Sequence, residues 1–432
     1  MAQRYESYKD SETQWLGKIP SHWGCVRLKN LGTCQNGVSK GGDYFGEGFP
    51  FVSYSDAYKN IVLPTKVQGL AKSTEDDRIA YSVEKGDVLF TRTSESIDEI
   101  GFASTCLETI KDSVFAGFLI RFRPNTCSII PEYYKYYFRS MHLRKFFTKE
   151  MNIVTRASLS QQLLGQLKVL IPSIEEQRCI SMYLDRKCDK LDEWLDKKQK
   201  EVEHLKELRQ RVIADAVTQG LNPNVTMKPT NIPWLPEVPE HWVMIRNKSM
   251  LQLTDEKVGD RKDITLLSLT KQGVIIRDLS EGKGKFPKDF NTYLVVNPNN
   301  LVFCLFDVDE TPRTVGLVRN YGMLTGAYTN FEVNEGIVIP EYIYNYYLQI
   351  DDMKGLRPYY TGLRKVVKTS TFLQLKMPVP PLEEQKQIVA YINDKTSKID
   401  KLIVNINKEI EDIKEYKQRL ISDVVTGQIK VC

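Results

Sequence analysis

Pro172-Ser173-Ile174-Glu175-Glu176-Gln177 returns 208 residues later as Pro380-Pro381-Leu382-Glu383-Glu384-Gln385 (172 to 380). Each copy is followed by a long stretch free of proline. After the first copy, Leu184, Cys188, Leu191, Leu195, Lys198, Val202, Leu205, Arg209, Val212 and Ala216 alternate at spacings of four and three. After the second, Ile392, Thr396, Ile399, Ile403, Ile406, Ile410, Ile413, Lys417, Leu420 and Val424 hold the equivalent places. That alternation, sustained this long, predicts two helices of roughly 44 residues and about 65 Å that pair as a coiled coil. Gly220 and Gly427 stand where each should stop.

The repetition extends outward from the junction. Arg211-Val-Ile-Ala-Asp-Ala-Val-Thr218 returns as Arg419-Leu-Ile-Ser-Asp-Val-Val-Thr426, and Pro131-Glu-Tyr-Tyr-Lys-Tyr-Tyr137 as Pro340-Glu-Tyr-Ile-Tyr-Asn-Tyr-Tyr347. His22-Trp23 returns as His241-Trp242. Two similar modules follow from this. Pro131 and Pro340 suit the first turn of an aromatic helix. Its tyrosines (133, 134, 136, 137 and 342, 344, 346, 347) read as core packing. Runs such as Gly86-Asp-Val-Leu-Phe-Thr91 and Val114-Phe-Ala-Gly-Phe-Leu-Ile-Arg-Phe122 read as strands and turns. The expected fold is α+β: two globular mixed α/β heads joined by two long helices packed as an antiparallel coiled coil, with pseudo-two-fold symmetry. The segments are a first head over 1–174, a helix over 175–220, a Pro-rich linker over 221–240, a second head over 241–382 and a second helix over 383–432. The linker, with Pro223, Pro229, Pro233, Pro236 and Pro239, is expected to be extended. The middles of the heads agree poorly, and 149 residues separate Trp23 from Pro172 against 138 from Trp242 to Pro380. Copied frames around unlike middles imply that the heads recognise different things.

Composition narrows the function. The net charge of +5 resides in the heads, with 22 Lys/Arg against 18 Asp/Glu over 1–174 and 18 against 15 over 241–382. Residues 175–220 carry 10 against 11, and residues 383–428 carry 8 against 9. This suits an anionic partner, though only weakly. Eight cysteines and four histidines lack zinc-site spacing, and the cysteines read as reduced thiols. The polar N-terminus does not read as a signal peptide, and no apolar run reaches the ~18 residues of a membrane span. Phosphate loops, nucleophile elbows and an Asn-Pro-Pro-aromatic methyltransferase loop are missing. Asp263 with Glu281-Gly-Lys283 could make a nuclease-like triplet, but Gly282-Lys283-Gly284 reads better as a turn.

The doubled Pro-x-His-Trp opening, the doubled Glu-Glu-Gln junction, the paired helices and the string Gly86-Asp-Val-Leu-Phe-Thr-Arg92 together resemble the specificity subunit of type I restriction–modification enzymes. The resemblance covers essentially the whole chain. It implies that each head is a target recognition domain and that the helices are a spacer. It implies binding to double-stranded DNA, two modification subunits and up to two restriction subunits, with no membrane partner, in the prokaryotic cytoplasm at the nucleoid. It also implies no catalytic site and no cofactor in this chain, with S-adenosylmethionine, ATP and Mg on partner subunits. The competing reading is a coiled-coil scaffold with two protein-binding heads and no DNA specificity.

Under the resemblance, Thr91, Arg92, Thr93 and Ser94 lie near the DNA groove, where arginine can bridge a guanine edge and hydroxyls can take bases or phosphates. Their counterparts, Cys304-Leu305-Phe306-Asp307, depart from the pattern, leaving Arg313 as the nearest basic residue in the second head. A second loop holds Arg156 and Ser158, with Arg364 and Lys365 as repeat mates. Lys40 and Lys271 are loop-tip lysines for phosphate, and Tyr54 could stack or meet a thymine methyl.

Overall fold

The computed structural model describes residues 3–94, 99–150, 157–232, 234–261, 263–277 and 290–432. The chain divides into two compact units. One comprises Met1–Gln199 with Lys408–Cys432, and the other Lys200–Asn407. Each unit therefore holds one head, part of the helix that follows that head, and the far end of the other long helix.

The two long helices run over Ile174–Gln219 and Leu382–Val425. Every predicted seam position is buried or half-buried, while the residues between them face solvent along most of the length. In the first unit, Lys417 binds Asp192 at 2.6 Å and Glu409 binds Lys198 at 2.9 Å. The partner number falls as the helix number rises, so the pairing is antiparallel. In the second unit, Arg209 meets Asp400 at 2.9 Å, and Ile213, Ala216 and Val217 share a core with Ile388 and Ile392.

The first head is built on a four-stranded antiparallel sheet in the order Gly32–Asn36, Leu119–Pro124, Val88–Thr91, Ala103–Thr105. The second head repeats it as Leu251–Thr254, Thr329–Val333, Leu301–Phe303, Val315–Leu317. A two-stranded pair repeats too, Gly24–Arg27 with Lys168–Ile171 and Val243–Arg246 with Lys376–Val379. The unlike middles thus share one frame. What differs is attached to it: strands Val114–Phe115, Phe45–Val52 and Leu70–Ala71 form a second sheet in the first head. The second head has instead the hairpin Leu267–Thr270/Gly273–Ile276 and the pair Leu294–Val296/Gly322–Leu324.

The stretch read as a linker is folded. Met227–Ile232 pairs with Leu235–Pro239 as a hairpin, with Leu235 and Val238 in the core of the second unit. It is the counterpart of the hairpin Tyr8–Asp10/Lys18–Pro20 in the first unit. Prolines are tolerated because each hairpin has only one partner strand, leaving an edge where no N–H is demanded.

The junction explains why its residues recur. Glu176 accepts from the indole Nε1 of Trp23 at 3.3 Å and meets His22 Nε2 at 3.0 Å. Glu384 does the same for Trp242 at 3.0 Å and His241 at 2.7 Å. Burial pushes the Glu176 carboxyl up, but hydrogen bonds from His22, Trp23 and Ser173 outweigh it and hold the group below its ordinary value. Both tryptophans are fully buried. Next in sequence, Gln177 is fully buried: its Oε1 accepts from Ile130 N, and its Nε2 donates to Ser128 O and Pro172 O. Gln385 repeats this with Ile339, Ile337 and Pro380.

The tyrosine helices Pro131–Tyr137 and Pro340–Asp352 then receive the far helix ends. Tyr133 donates to Leu170 O and Val425 O, and Tyr342 to Pro378 O and Val217 O. Gly427, at φ +73°, has no room for a Cβ, which would stand 2.4 Å from Pro20 and 3.2 Å from Trp23.

Replacing Gln177 with leucine strands the Ile130 N–H and two carbonyls in the core. Chemical denaturation should show a loss of about 1–3 kcal/mol. The exposed neighbour variant Glu175→Gln should stay within about 0.5 kcal/mol of wild type; equal effects would refute a tethering role for Gln177.

Candidate nucleic-acid interface

In the first head, strand Val88–Thr91 runs wholly buried to its end. Thr91 is itself fully buried, its hydroxyl donating to Glu99 O and accepting from Phe102 N, both at 2.9 Å. It anchors the strand end and has no surface to offer a ligand, because both hydroxyl functions are already used. Arg92 leaves the sheet immediately after. Its N–H donates to Phe118 O at 2.8 Å, its carbonyl accepts from Leu159 N at 2.7 Å, and its Nη1 lies 3.4 Å from Gly117 O. Thr93 and Ser94 then pair antiparallel with Ser158 and Ala157. Residues 93–94 and 157–158, from the two loops singled out in sequence, are therefore adjacent strands of one edge. Arg156 lies outside the described residues, as do Glu281 and Lys283.

Lys40 sits on a neighbouring loop but is latched. Its ammonium binds both oxygens of Asp77 (3.0 and 2.7 Å) and stands 4.7 Å over the Tyr44 ring. The Lys40 hydrogen bond, aided by Thr74 and Tyr44, holds the Asp77 carboxyl down at about 2. Tyr54 stacks on Tyr58 with ring centroids 5.9 Å apart and lines the same cavity as Lys40 and Phe118.

The second head repeats the backbone of this edge with different chemistry. Cys304 N donates to Thr314 O, as Thr91 N does to Phe102 O. Val367 N donates to Leu305 O, as Leu159 N does to Arg92 O. Leu305 thus occupies the place of Arg92 and is buried. Arg313 is drawn inward: its Nη1 bridges Asp351 at 3.2 Å and Asp352 at 3.1 Å. Asp351 is almost wholly buried and also accepts from Thr314 N, and a buried carboxylate demands a cation. Lys365 is held by Asp309 (3.3 Å) and Glu310 (3.1 Å), and Asp309 also takes Arg357 at 2.6 Å. Arg364 stays exposed at the tip of the turn 361–366, beside the fully exposed Leu363, while its carbonyl accepts from Asp307 N. Lys271 is exposed at the tip of the hairpin between Thr270 and Gly273.

Sequence reading passed over Phe118. Within the run Val114–Phe122, read as strands and turns, the structure ends one strand at Phe115 and begins the next at Leu119. The break occurs at Gly117, whose N–H donates to Val38 O at 2.8 Å and whose Cβ would meet Ser39 Oγ at 2.3 Å. Only glycine fits that approach. The turn leaves Phe118 62% exposed beside Arg92. The glycine inside an aromatic run was the available signal.

The model of the type I restriction modification DNA specificity domain family matches residues 20–204 and 313–412. The chain belongs to this family. The specificity subunit resemblance seen in the repeats and junctions is thus shown, and with it the role of DNA sequence-specificity subunit in a type I restriction–modification system. The competing scaffold reading gains no support. Among relatives, the putative type I restriction enzyme MjaX specificity subunit of Methanocaldococcus jannaschii is 25% identical over 451 residues, covering 99% of this chain and 97% of its own. The MjaVIII specificity subunit of the same organism is 22% identical over 314 residues, covering 68% and 70%. A chain solved in work on complex assembly and conformational transition of the type I R-M system matches with a TM-score of 0.68 at 12% identity. It covers 95% of this chain and 99% of that one, and shares the fold. Among the described residues of this specificity subunit, no helix is long and apolar enough to cross a membrane, and no group of three His, Cys, Asp or Glu could hold a metal.

Asp77 supplies a pH test of the Lys40 latch. Its folded value lies below the ordinary 3.8, so it stabilises the fold above that value and loses its contribution as pH falls towards about 2. Thermal melts should show Asp77→Asn less stable than wild type at neutral pH. That gap should close progressively below pH 4; a gap independent of pH would refute the ionic latch.

Proposed function

We propose that the first head reads one half-site through Arg92, Thr93, Ser94, Ser158 and Arg156, and that the second head reads a different half-site. In the second head, exposed Arg364 and Lys271 approach the DNA, with Lys365 and Arg313 serving mainly to hold their own loops. Tyr54 and Lys40 border the first reading edge, Lys40 towards phosphate. The target is bipartite and asymmetric, and the long helices set the gap between its halves. The observation that carries this is the substitution of Leu305 for Arg92 at equivalent points of a shared backbone frame. An arginine fork can grip a guanine edge, and a buried leucine cannot, so one target half cannot serve both heads.

The subunit carries no catalysis of its own in this reading. It directs two modification subunits, and up to two restriction subunits, to the site. S-adenosylmethionine, ATP and Mg belong to those partners, and the complex works at the nucleoid of a prokaryotic cell. The missing methyltransferase and phosphate-loop motifs support that division of labour.

Mapping of methylated bases in cells carrying this chain and its modification partner should return two unlike half-sites. Arg92→Ala should relax one half-site at a cost of about 1–3 kcal/mol and leave the other unchanged. Relaxation of both, or of neither, would refute the assignment. Inserting seven residues in each helix, after Gln199 and after Asn407, lengthens each by roughly 10 Å. The gap should then widen by up to about three base pairs at 3.4 Å each while the half-sites stay the same; an unchanged gap would sink the ruler.

A further inference from the structure

Beside the first reading edge lies a cavity of about 450 Å³ lined by the rings of Phe45, Phe51, Tyr54 and Phe118, with Ser39 and Lys40. Its volume falls in the range of about 300–1,000 Å³ usual for sites that hold a small flat molecule. Its walls are predominantly apolar, yet it opens on a surface where Phe118 is 62% exposed and Phe45 36%. A single exposed phenylalanine needs no explanation, but several aromatic rings around one concavity do.

The walls are built rather than loose. Ala116 N donates to Val52 O at 3.0 Å and Gly117 N to Val38 O at 2.8 Å, which clamps the turn bearing Phe118 to the strand and loop opposite. Gly37 is pressed equally close, since a Cβ there would stand 2.3 Å from the carbonyl oxygens of Phe115 and Ala116. Phe45 and Phe51 lie 4.9 Å apart at 55°, forming one wall. The turn that carries Phe118 also accepts both the N–H and the guanidinium of Arg92. The backbone of Arg92 and the turn bearing Phe118 are therefore held together, which sets the guanidinium and the cavity on neighbouring parts of one surface.

Resting on the reading of Arg92 given above, we propose that this slot receives a nucleobase unstacked from the DNA duplex within the half-site of the first head. Paired bases show only their edges, so a base can enter a concavity lined by aromatic residues only after it has left the stack. Aromatic rings beside cations are the composition that takes single bases by their faces, each worth roughly tenfold to a hundredfold in affinity when removed. The slot offers few hydrogen-bonding groups. It therefore selects by how easily a step unstacks and by ring size, adding specificity where no edge is read.

The test uses the complex of this chain with its modification subunits, bound to duplexes of the mapped target. Fluorescent base analogues, 2-aminopurine for purines and pyrrolocytosine for pyrimidines, replace each position in turn. A severalfold rise in emission is expected at one position of the first head's half-site, other than the base that becomes methylated. Phe118→Ala should abolish that rise and weaken binding about tenfold, and Phe118→Trp should restore both. Phe118 is exposed, so the variants should fold, and unchanged complex assembly checks this. No rise at any such position, or a rise that survives Phe118→Ala, overturns the slot. If Arg92→Ala still relaxes the half-site in that case, the slot alone has failed; if it does not, the reading of the edge fails with it.

Discussion

Everything in this specificity subunit depends on one carboxylate and its neighbour. Glu176 and Glu384 open the long helices and grip the indole N–H of a tryptophan buried in the head. Gln177 and Gln385 then tie the loop before the tyrosine helix to the carbonyl two residues before the spacer. The glutamines are fully buried, where an unmade bond is expensive, and the glutamates stand at the partly exposed rim beside them. They fix the direction in which each long helix leaves its head. A helix of 46 or 44 residues amplifies any error at its root, so the root is where precision is required.

The second consequence of the same corner is that a head is completed only by the end of the other long helix. The tyrosine that packs behind the junction donates to the terminal carbonyl of that helix, and the glycine that ends it turns against proline and tryptophan. Leu420, Ile421, Val424 and Val425 lie in the core of the first unit, as Ile213, Ala216 and Val217 do in the second. Hydrophobic burial of about 1.5–3 kcal/mol per large side chain thus links folding of the heads to pairing of the helices.

The edges proposed to read DNA obey a different logic. In both heads the sheet runs out at a buried residue, Thr91 at the end of its strand or Cys304 just after its own, and the chain emerges beside a second loop that closes on it. The backbone of the edge is constant and the side chains are free to change. The first head spends that freedom on Arg92 and exposed aromatic rings. The second fills the equivalent point with Leu305 and engages nearby cations with Asp309, Glu310, Asp351 and Asp352.

Much of this was legible in the residues alone. Every seam position that periodicity marked in the two long helices is buried or half-buried, because a spacing of four and three has one geometric meaning. The doubled Glu-Glu-Gln, His-Trp and Pro-Glu-Tyr strings marked the contacts of the junction, since residues that bond to each other recur together. The hairpin at 227–239 was not legible, because its prolines obscure the alternation that betrays a strand. Nor was the four-stranded sheet common to both heads, whose residues differ while its register does not. For Arg313, Lys365 and Lys40 the sequence shows a cation but not the carboxylate folded against it. Repeats and periods are properties of the chain and survive in one dimension. Which side chains remain free to meet DNA is decided by neighbours distant in sequence, and only the tertiary structure supplies those.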